Sequence, residues 1–180
     1  MRALDLFSGA GGASVGLHRA GFDVTGVDIK PMPEYPRKPG FTFIQADALT
    51  FPLDGFDFVW ASPKCQRWSQ ATRQSGNPDE HPDQLGPIRE RLRATGVPYI
   101  IENVLNAPLI DPIMLCGAMF GLGVIRHRLF ECSFPVLAPP SPEAQRISRD
   151  RRIRHRHRER GRAIVDLQKA RGYGFAQIYA

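Results

Sequence analysis

The chain has 180 residues, 42% of them apolar and 23% charged, the size and composition of one ordinary globular domain with a core of its own. Its three cysteines, Cys65, Cys116 and Cys132, form no C-x-x-C pair, which argues against a disulfide scaffold or a structural metal site and for a reducing compartment. The longest apolar run, Ile113 to Ile125, is too short to span a bilayer, and Arg2 leads into Ala3-Leu4-Asp5-Leu6 with no signal-peptide pattern, so a cytoplasmic protein is expected, neither membrane-bound nor secreted.

Elements follow one another in a strand–helix rhythm. Ala3-Leu4-Asp5-Leu6-Phe7 reads as a strand, succeeded at once by the turn Ser8-Gly9-Ala10-Gly11-Gly12. A helix carrying Val15, Leu17, His18 and Ala20 stops at Gly21. Phe22 to Val27 is a second strand ending at Asp28; Phe41–Ile44 and Phe56–Trp60 are further strands. Pro87–Thr95 is helical, and the fully apolar Tyr99-Ile100-Ile101 reads as a central strand. Such alternation predicts an α/β fold with a Rossmann-like, doubly wound and mostly parallel sheet over residues 1–134.

After Phe134 the character changes. Pro135, Pro139, Pro140 and Pro142 mark a linker that opens a second segment, 135–180. Residues 146–162 then hold nine Arg against Asp150 and Glu159, whereas 1–145 carry 13 Lys/Arg against 15 Asp/Glu, so the net charge of +6 comes from one basic C-terminal arm. With only Ile147 and Ile153 as large apolar groups, this stretch reads as solvated. A near-neutral body with a basic arm fits a polyanionic partner, most simply nucleic acid. Arg151, Arg152, Arg154, Arg156 and Arg158 are the expected phosphate contacts. A short helix around Ile164-Val165-Asp166-Leu167 closes the chain.

A glycine turn between a strand and a helix lets backbone N–H groups approach a polar or anionic ligand. Gly9 and Gly11 fit the first two positions of a dinucleotide fingerprint, but Ser14 occupies the third. Asp28, at the end of the second strand, stands where a carboxylate binds both hydroxyls of a ribose. Asp47, after the third strand, can accept from an adenine amino group. An ordinary turn with surface carboxylates is the bland alternative.

Cys65, in Ser62-Pro63-Lys64-Cys65-Gln66-Arg67-Trp68-Ser69, follows a strand at the sheet edge where α/β ligand sites form. Lys64 and Arg67 are expected to favour its thiolate, the nucleophilic form. A buried packing cysteine would sit poorly among such polar neighbours.

Together these residues resemble the DNA cytosine-5 methyltransferase family, in a short form of phage or bacterial type. Asp5-Leu6-Phe7-Ser8-Gly9-Ala10-Gly11-Gly12 is similar to its first motif, and Asp28 and Asp47 match the acids of the second and third. Ser62-Pro63-Lys64-Cys65-Gln66 resembles its Pro-Cys-Gln loop, and Glu102-Asn103-Val104 its Glu-Asn-Val motif. Phe120-Gly121 with Arg126-His127-Arg128 resembles its Phe-Gly and Arg-x-Arg segment. The resemblance implies the fold of class I methyltransferases that use S-adenosylmethionine. Phe7, Ser8, Gly9, Ala10, Gly11, Gly12, Asp28, Ile29, Asp47 and Ala48 would hold the cofactor. It further implies that Cys65 adds to C6 of a flipped cytosine in double-stranded DNA. Glu102 would hold and protonate the ring, Arg126 and Arg128 would grip the base and phosphates, and Gln66 and Ser69 would touch nucleic acid. Asn103 is expected to shape the Glu102 loop.

The sequence departs from the family pattern at three places. Lys64 stands where Pro is usual, Gly123 and Val124 replace the Pro-Gln before Arg-x-Arg, and about 50 residues follow Phe130 where a target-recognition region and a late motif are expected. A restriction-modification enzyme that takes its recognition from a second protein chain fits this pattern. So do an inactive nucleic-acid-binding protein on the same scaffold and an RNA cytosine-5 methyltransferase. A generic NAD(P) enzyme leaves Cys65, Glu102 and Arg128 unexplained.

Overall fold

A computed structural model describes residues 1–122 and 124–139. By chain contacts these divide into two units, Met1–Met114 with Arg128–Val136, and Leu115–His127 with the chain from Leu137. The strands are β1 (Arg2–Leu6), β2 (Asp23–Asp28), β3 (Phe41–Gln45), β4 (Phe58–Ala61), β5 (Tyr99–Asn103), β6 (Ile113–Cys116) and β7 (His127–Cys132). The helices are α1 (Gly12–Arg19), α2 (Gln70–Ser75) and α3 (Leu85–Thr95). The sheet order is β3-β2-β1-β4-β5-β7-β6.

The central strands are buried on both faces, which is why their sequences read as apolar runs and not as alternation. Leu4, Leu6, Val27, Val59, Ala61 and Ile101 are fully buried, and α3 lays Leu85, Ile88 and Leu92 against the same core. β1 pairs in parallel with β2 and with β4, β2 with β3, and β4 with β5. The winding reverses between β1 and β4, the switch point at which open α/β sheets form a crevice beyond their carboxyl ends. The mostly parallel sheet expected from the sequence is therefore present, with β7 added antiparallel to β5.

Several boundaries differ from the sequence reading. Phe7 leaves the strand because it lies in the left-handed region, φ 61, where a ladder cannot continue. α3 begins two residues before Pro87, which its first turn tolerates; there Asp83 Oδ1 accepts from the Leu85 N–H at 2.8 Å. β6, β7 and α2 were not anticipated. In the second unit, Gly117–Phe120 forms a tight 3-10 turn closed by Gly121 at φ 69. Among the described residues no helix is long and apolar enough to cross a membrane. The basic arm and the short helix expected near Ile164 lie outside the described residues.

Candidate active site

Register sets the carboxyl ends of the parallel strands level. Leu6 lies opposite both Val27 and Ala61, and Ala61 lies opposite Ile101. The glycine turn after β1, Asp28 at the end of β2, the Cys65 loop after β4 and Glu102 on β5 thus emerge along one sheet edge. The first and third flank the β1/β4 switch point. β7 runs the other way, with Glu102 opposite Phe130 and Asn103 opposite Leu129, and so delivers Arg128 to the same edge.

The glycine turn is wound tightly. Phe7, Gly9 and Gly11 have φ of 61, 51 and 85, conformations that cost little for glycine and more for Phe7. The Ser8 N–H donates to Val27 O at 3.0 Å and the Gly11 N–H to Ser8 O at 2.9 Å. Asp28 braces this turn, for Oδ2 accepts from the Gly9 N–H and Oδ1 from the Lys30 N–H, both at 3.0 Å. Each carboxylate oxygen keeps a further acceptor site, so a ribose can still be held.

Other features of this edge leave room for a bound ligand. Ser8 Oγ is buried and finds no hydrogen-bond partner among the described residues. A Cβ added at Gly9 or Gly12 would meet nothing within 4 Å, leaving open space above the backbone. Ile29, beside Asp28, is 57% exposed, an apolar side chain free to lie against a base. Asp47 is exposed, with Oδ1 accepting from the Leu49 N–H at 2.9 Å. Ala10 is exposed as well. Ala48 instead belongs to the hydrophobic core, and its carbonyl accepts from Arg91 Nη1 at 3.1 Å.

Beneath the turn lies a buried polar chain that sequence reasoning missed. Tyr35 Oη donates to Ser14 Oγ at 2.9 Å, and Ser14 Oγ donates to Asp5 Oδ2 at 2.5 Å. Burial pushes the Asp5 carboxyl up to about 7, with the nearby Asp28 charge adding to the rise and the bonds from Ser14 opposing it. Burial also raises the Tyr35 phenol. The Tyr35 ring fills the space above two glycines: a Cβ at Gly26 would come within 2.4 Å of it, and one at Gly11 within 3.0 Å. The available signals were an acid inside an apolar strand and two glycines with no side chain to oppose a ring.

On the other side of the switch point, Cys65 is partly exposed and begins a 3-10 turn, Gln66–Trp68. Asn103 Nδ2 donates to Pro63 O at 3.0 Å, tying the end of β5 to the Cys65 loop. Glu102 Oε1 accepts from Arg128 Nε at 2.9 Å, so the expected acid and one expected arginine stand together. Arg126 is exposed in the second unit. Gln66 is exposed, whereas the Ser69 hydroxyl caps α2 by accepting from the Thr72 N–H at 3.1 Å. The Arg67 guanidinium bonds Asp79 and the carbonyls of Pro78 and His81. Cys116 is buried, and burial together with Glu131 raises the Cys132 thiol, as suits packing cysteines.

Behind this edge a second ion pair went unread in the sequence. Arg89 of α3 meets Glu131 of β7, with Nε–Oε1, Nε–Oε2 and Nη2–Oε2 distances of 3.0, 3.0 and 2.9 Å. Glu131 is 3% exposed and also accepts from the Ile110 N–H. Arg89 Nη2 further donates to Pro108 O at 2.7 Å, which pins the segment that leaves Glu102.

Fold and edge together define a class I methyltransferase scaffold, with a glycine turn on one side of the switch point and a cysteine loop on the other. Residues 1–106 match the family model of C-5 cytosine-specific DNA methylases, and the chain belongs to that family, whose cofactor is S-adenosylmethionine. A type II methyltransferase of Neisseria gonorrhoeae, M.NgoMIV, is 33% identical over 119 residues, or 61% of this chain and 37% of that protein. The chain therefore spans little more than a third of this curated relative. In fold it is similar to the DNMT2 of Spodoptera frugiperda, with a TM-score of 0.53 and 18% identity over 72% of this chain and 49% of that one. The Dnmt2 methyltransferase of S. pombe gives a TM-score of 0.51 and 19% identity over 77% and 51%.

Proposed function

We propose that the protein transfers a methyl group from S-adenosylmethionine to carbon 5 of cytosine in double-stranded DNA, through a covalent bond between Cys65 and C6. The observation that carries this reading is the register: it delivers the glycine turn, the Cys65 loop, Glu102 and Arg128 to one sheet edge around the switch point. Similarity to M.NgoMIV favours DNA and a role in restriction-modification. The cofactor, when bound, supplies an electrophilic methyl on a sulfonium. Ser8, the turn N–H groups, Asp28, Ile29 and Asp47 would hold it beside the crevice.

C5 of cytosine is a poor nucleophile until C6 has been attacked. The Cys65 thiolate adds to C6 and makes C5 electron-rich, as a soft nucleophile of low basicity can. Glu102 donates a proton at N3 and accepts from the 4-amino group as charge builds on the ring. Arg128 holds Glu102 in place and would also grip the base or a phosphate. Once C5 carries the methyl, loss of the C5 proton expels Cys65 as thiolate and restores the aromatic ring. The base must leave the duplex to reach Cys65, at a cost of a few kcal/mol of unstacking.

Target recognition would come from a second protein chain, and Arg151, Arg152, Arg154, Arg156 and Arg158 would bind the phosphate backbone. Free cysteines fit work in a reducing cytoplasm, a host's if the protein is of phage type. Transfer of a tritiated methyl to duplex DNA and to RNA tests the reading. Label in cytosine C5 of DNA is expected. Label confined to RNA, or a folded protein that binds no S-adenosylhomocysteine, overturns it.

A further inference from the structure

The chain makes a long excursion after Cys65, and Arg67 closes it. From the 3-10 turn that Cys65 begins, the Arg67 side chain reaches residues 11 to 14 positions away. Nη1 donates to the carbonyls of Pro78 at 3.4 Å and His81 at 3.0 Å, and Nη2 to Asp79 Oδ1 at 3.0 Å. The guanidinium also lies 5.5 Å from the Trp68 ring centre. Just outside this closure, the Lys64 N–H donates to Gln84 Oε1 at 3.2 Å. Segment 66–81 therefore leaves and returns at one place.

The excursion has little else to hold it. α2, at its far end, contains no buried residue, and Trp68 is its anchor against the main core. The ion pair itself is weak, since the Asp79 side chain is 83% exposed. The two carbonyls matter more, because a charged planar donor can bridge several fixed backbone acceptors at once. The Trp68 N–H donates to Cys65 O at 3.0 Å, so the turn that Arg67 fixes also fixes the backbone of Cys65.

We propose that Arg67 is a positioning residue for Cys65: by clamping the base of the 66–81 excursion it holds the turn from which the thiol would attack. The inference rests on the reading of Cys65 as nucleophile. Its role differs from that of a cation beside the thiol, because Arg67 acts through the backbone.

The test compares Arg67→Ala, Arg67→Lys and Asp79→Asn with the parent protein. It follows hydrogen exchange over 66–81, iodoacetamide alkylation of Cys65 read by peptide mass, and covalent trapping on duplex DNA containing 5-fluorocytosine. Arg67→Ala should speed exchange across 66–81 by about ten-fold. It should alkylate the partly exposed Cys65 about three-fold faster and slow trapping about 100-fold, since misplacement of an attacking atom costs rates of that order. S-adenosylhomocysteine affinity should not change. Arg67→Lys should resemble Arg67→Ala, because an ammonium cannot bridge the same acceptors, whereas Asp79→Asn should stay near the parent protein. Unchanged exchange in Arg67→Ala overturns the clamp. Faster exchange with parental alkylation and trapping overturns its hold on Cys65. If the parent protein traps nothing, attack by Cys65 without a recognition partner is excluded, and exchange with alkylation still decides the clamp.

Discussion

The two sides of the switch point are built on different principles. On the cofactor side, the glycine turn rests on backbone bonds and on the buried chain Tyr35–Ser14–Asp5, with Asp28 bracing from the rim. On the cysteine side, the loops and strand ends are held by arginines: Arg67 closes the Cys65 excursion, Arg128 meets Glu102, and Arg89 locks Glu131. A cofactor that is the same in every turnover can be met by a rigid backbone cradle. The Arg67–Asp79 pair is exposed and individually weak, whereas the Arg128–Glu102 pair is half-buried. The Arg89–Glu131 pair is the most buried of the three and holds the frame behind them.

The largest test of this division is chemical. Cys65→Ser should abolish trapping on 5-fluorocytosine DNA, and Glu102→Gln should lower methyl transfer by about 100-fold or more. Both should leave S-adenosylhomocysteine binding at parental strength in calorimetry. A large loss of cofactor affinity in either would show that the two sides are not independent. Next comes the frame. Arg89→Ala leaves the 3%-exposed Glu131 carboxylate without its cation and should cost about 3–5 kcal/mol in denaturant unfolding. A loss below about 1 kcal/mol, the range of exposed pairs, would make this pair no stronger than its surface neighbours.

On the cofactor side, stability should depend on pH through Asp5. Its carboxyl is raised from 3.8 to about 7 by burial, so the folded state keeps a proton that the unfolded chain releases. The stabilising contribution is complete below pH ~4 and is lost as pH rises through ~7, up to about 4 kcal/mol. Asp5→Asn should flatten that fall in urea melts taken across pH 4–8; an unaltered pH profile would place the titration elsewhere. The smallest effect is steric. Gly26→Ala sets a Cβ 2.4 Å from the Tyr35 ring and should cost about 1–3 kcal/mol. It should weaken S-adenosylhomocysteine binding while leaving iodoacetamide alkylation of Cys65 unchanged. Altered alkylation would mean that strain under the glycine turn crosses the switch point.

What depends on neighbours in the chain is legible in the order of the amino acids. The glycine turn after β1, the acids that end β2 and follow β3, the cysteine loop after β4 and the apolar strands β1 and β5 are all set by short runs of residue types. Each could be read because its backbone requirement is local. The tertiary structure decided what depends on partners far along the chain. β7 carries Arg128 and Glu131 within six residues, a charge content that hides a strand until Arg89, 42 residues away, neutralises one end and Glu102 meets the other. Tyr35 became part of the cofactor side only when β2 and the glycine turn came together around its ring. Arg67, read locally, is a cation near Cys65 in sequence; the returning chain at Pro78 to His81 offers its guanidinium several fixed acceptors at once, and that geometry exists only after folding.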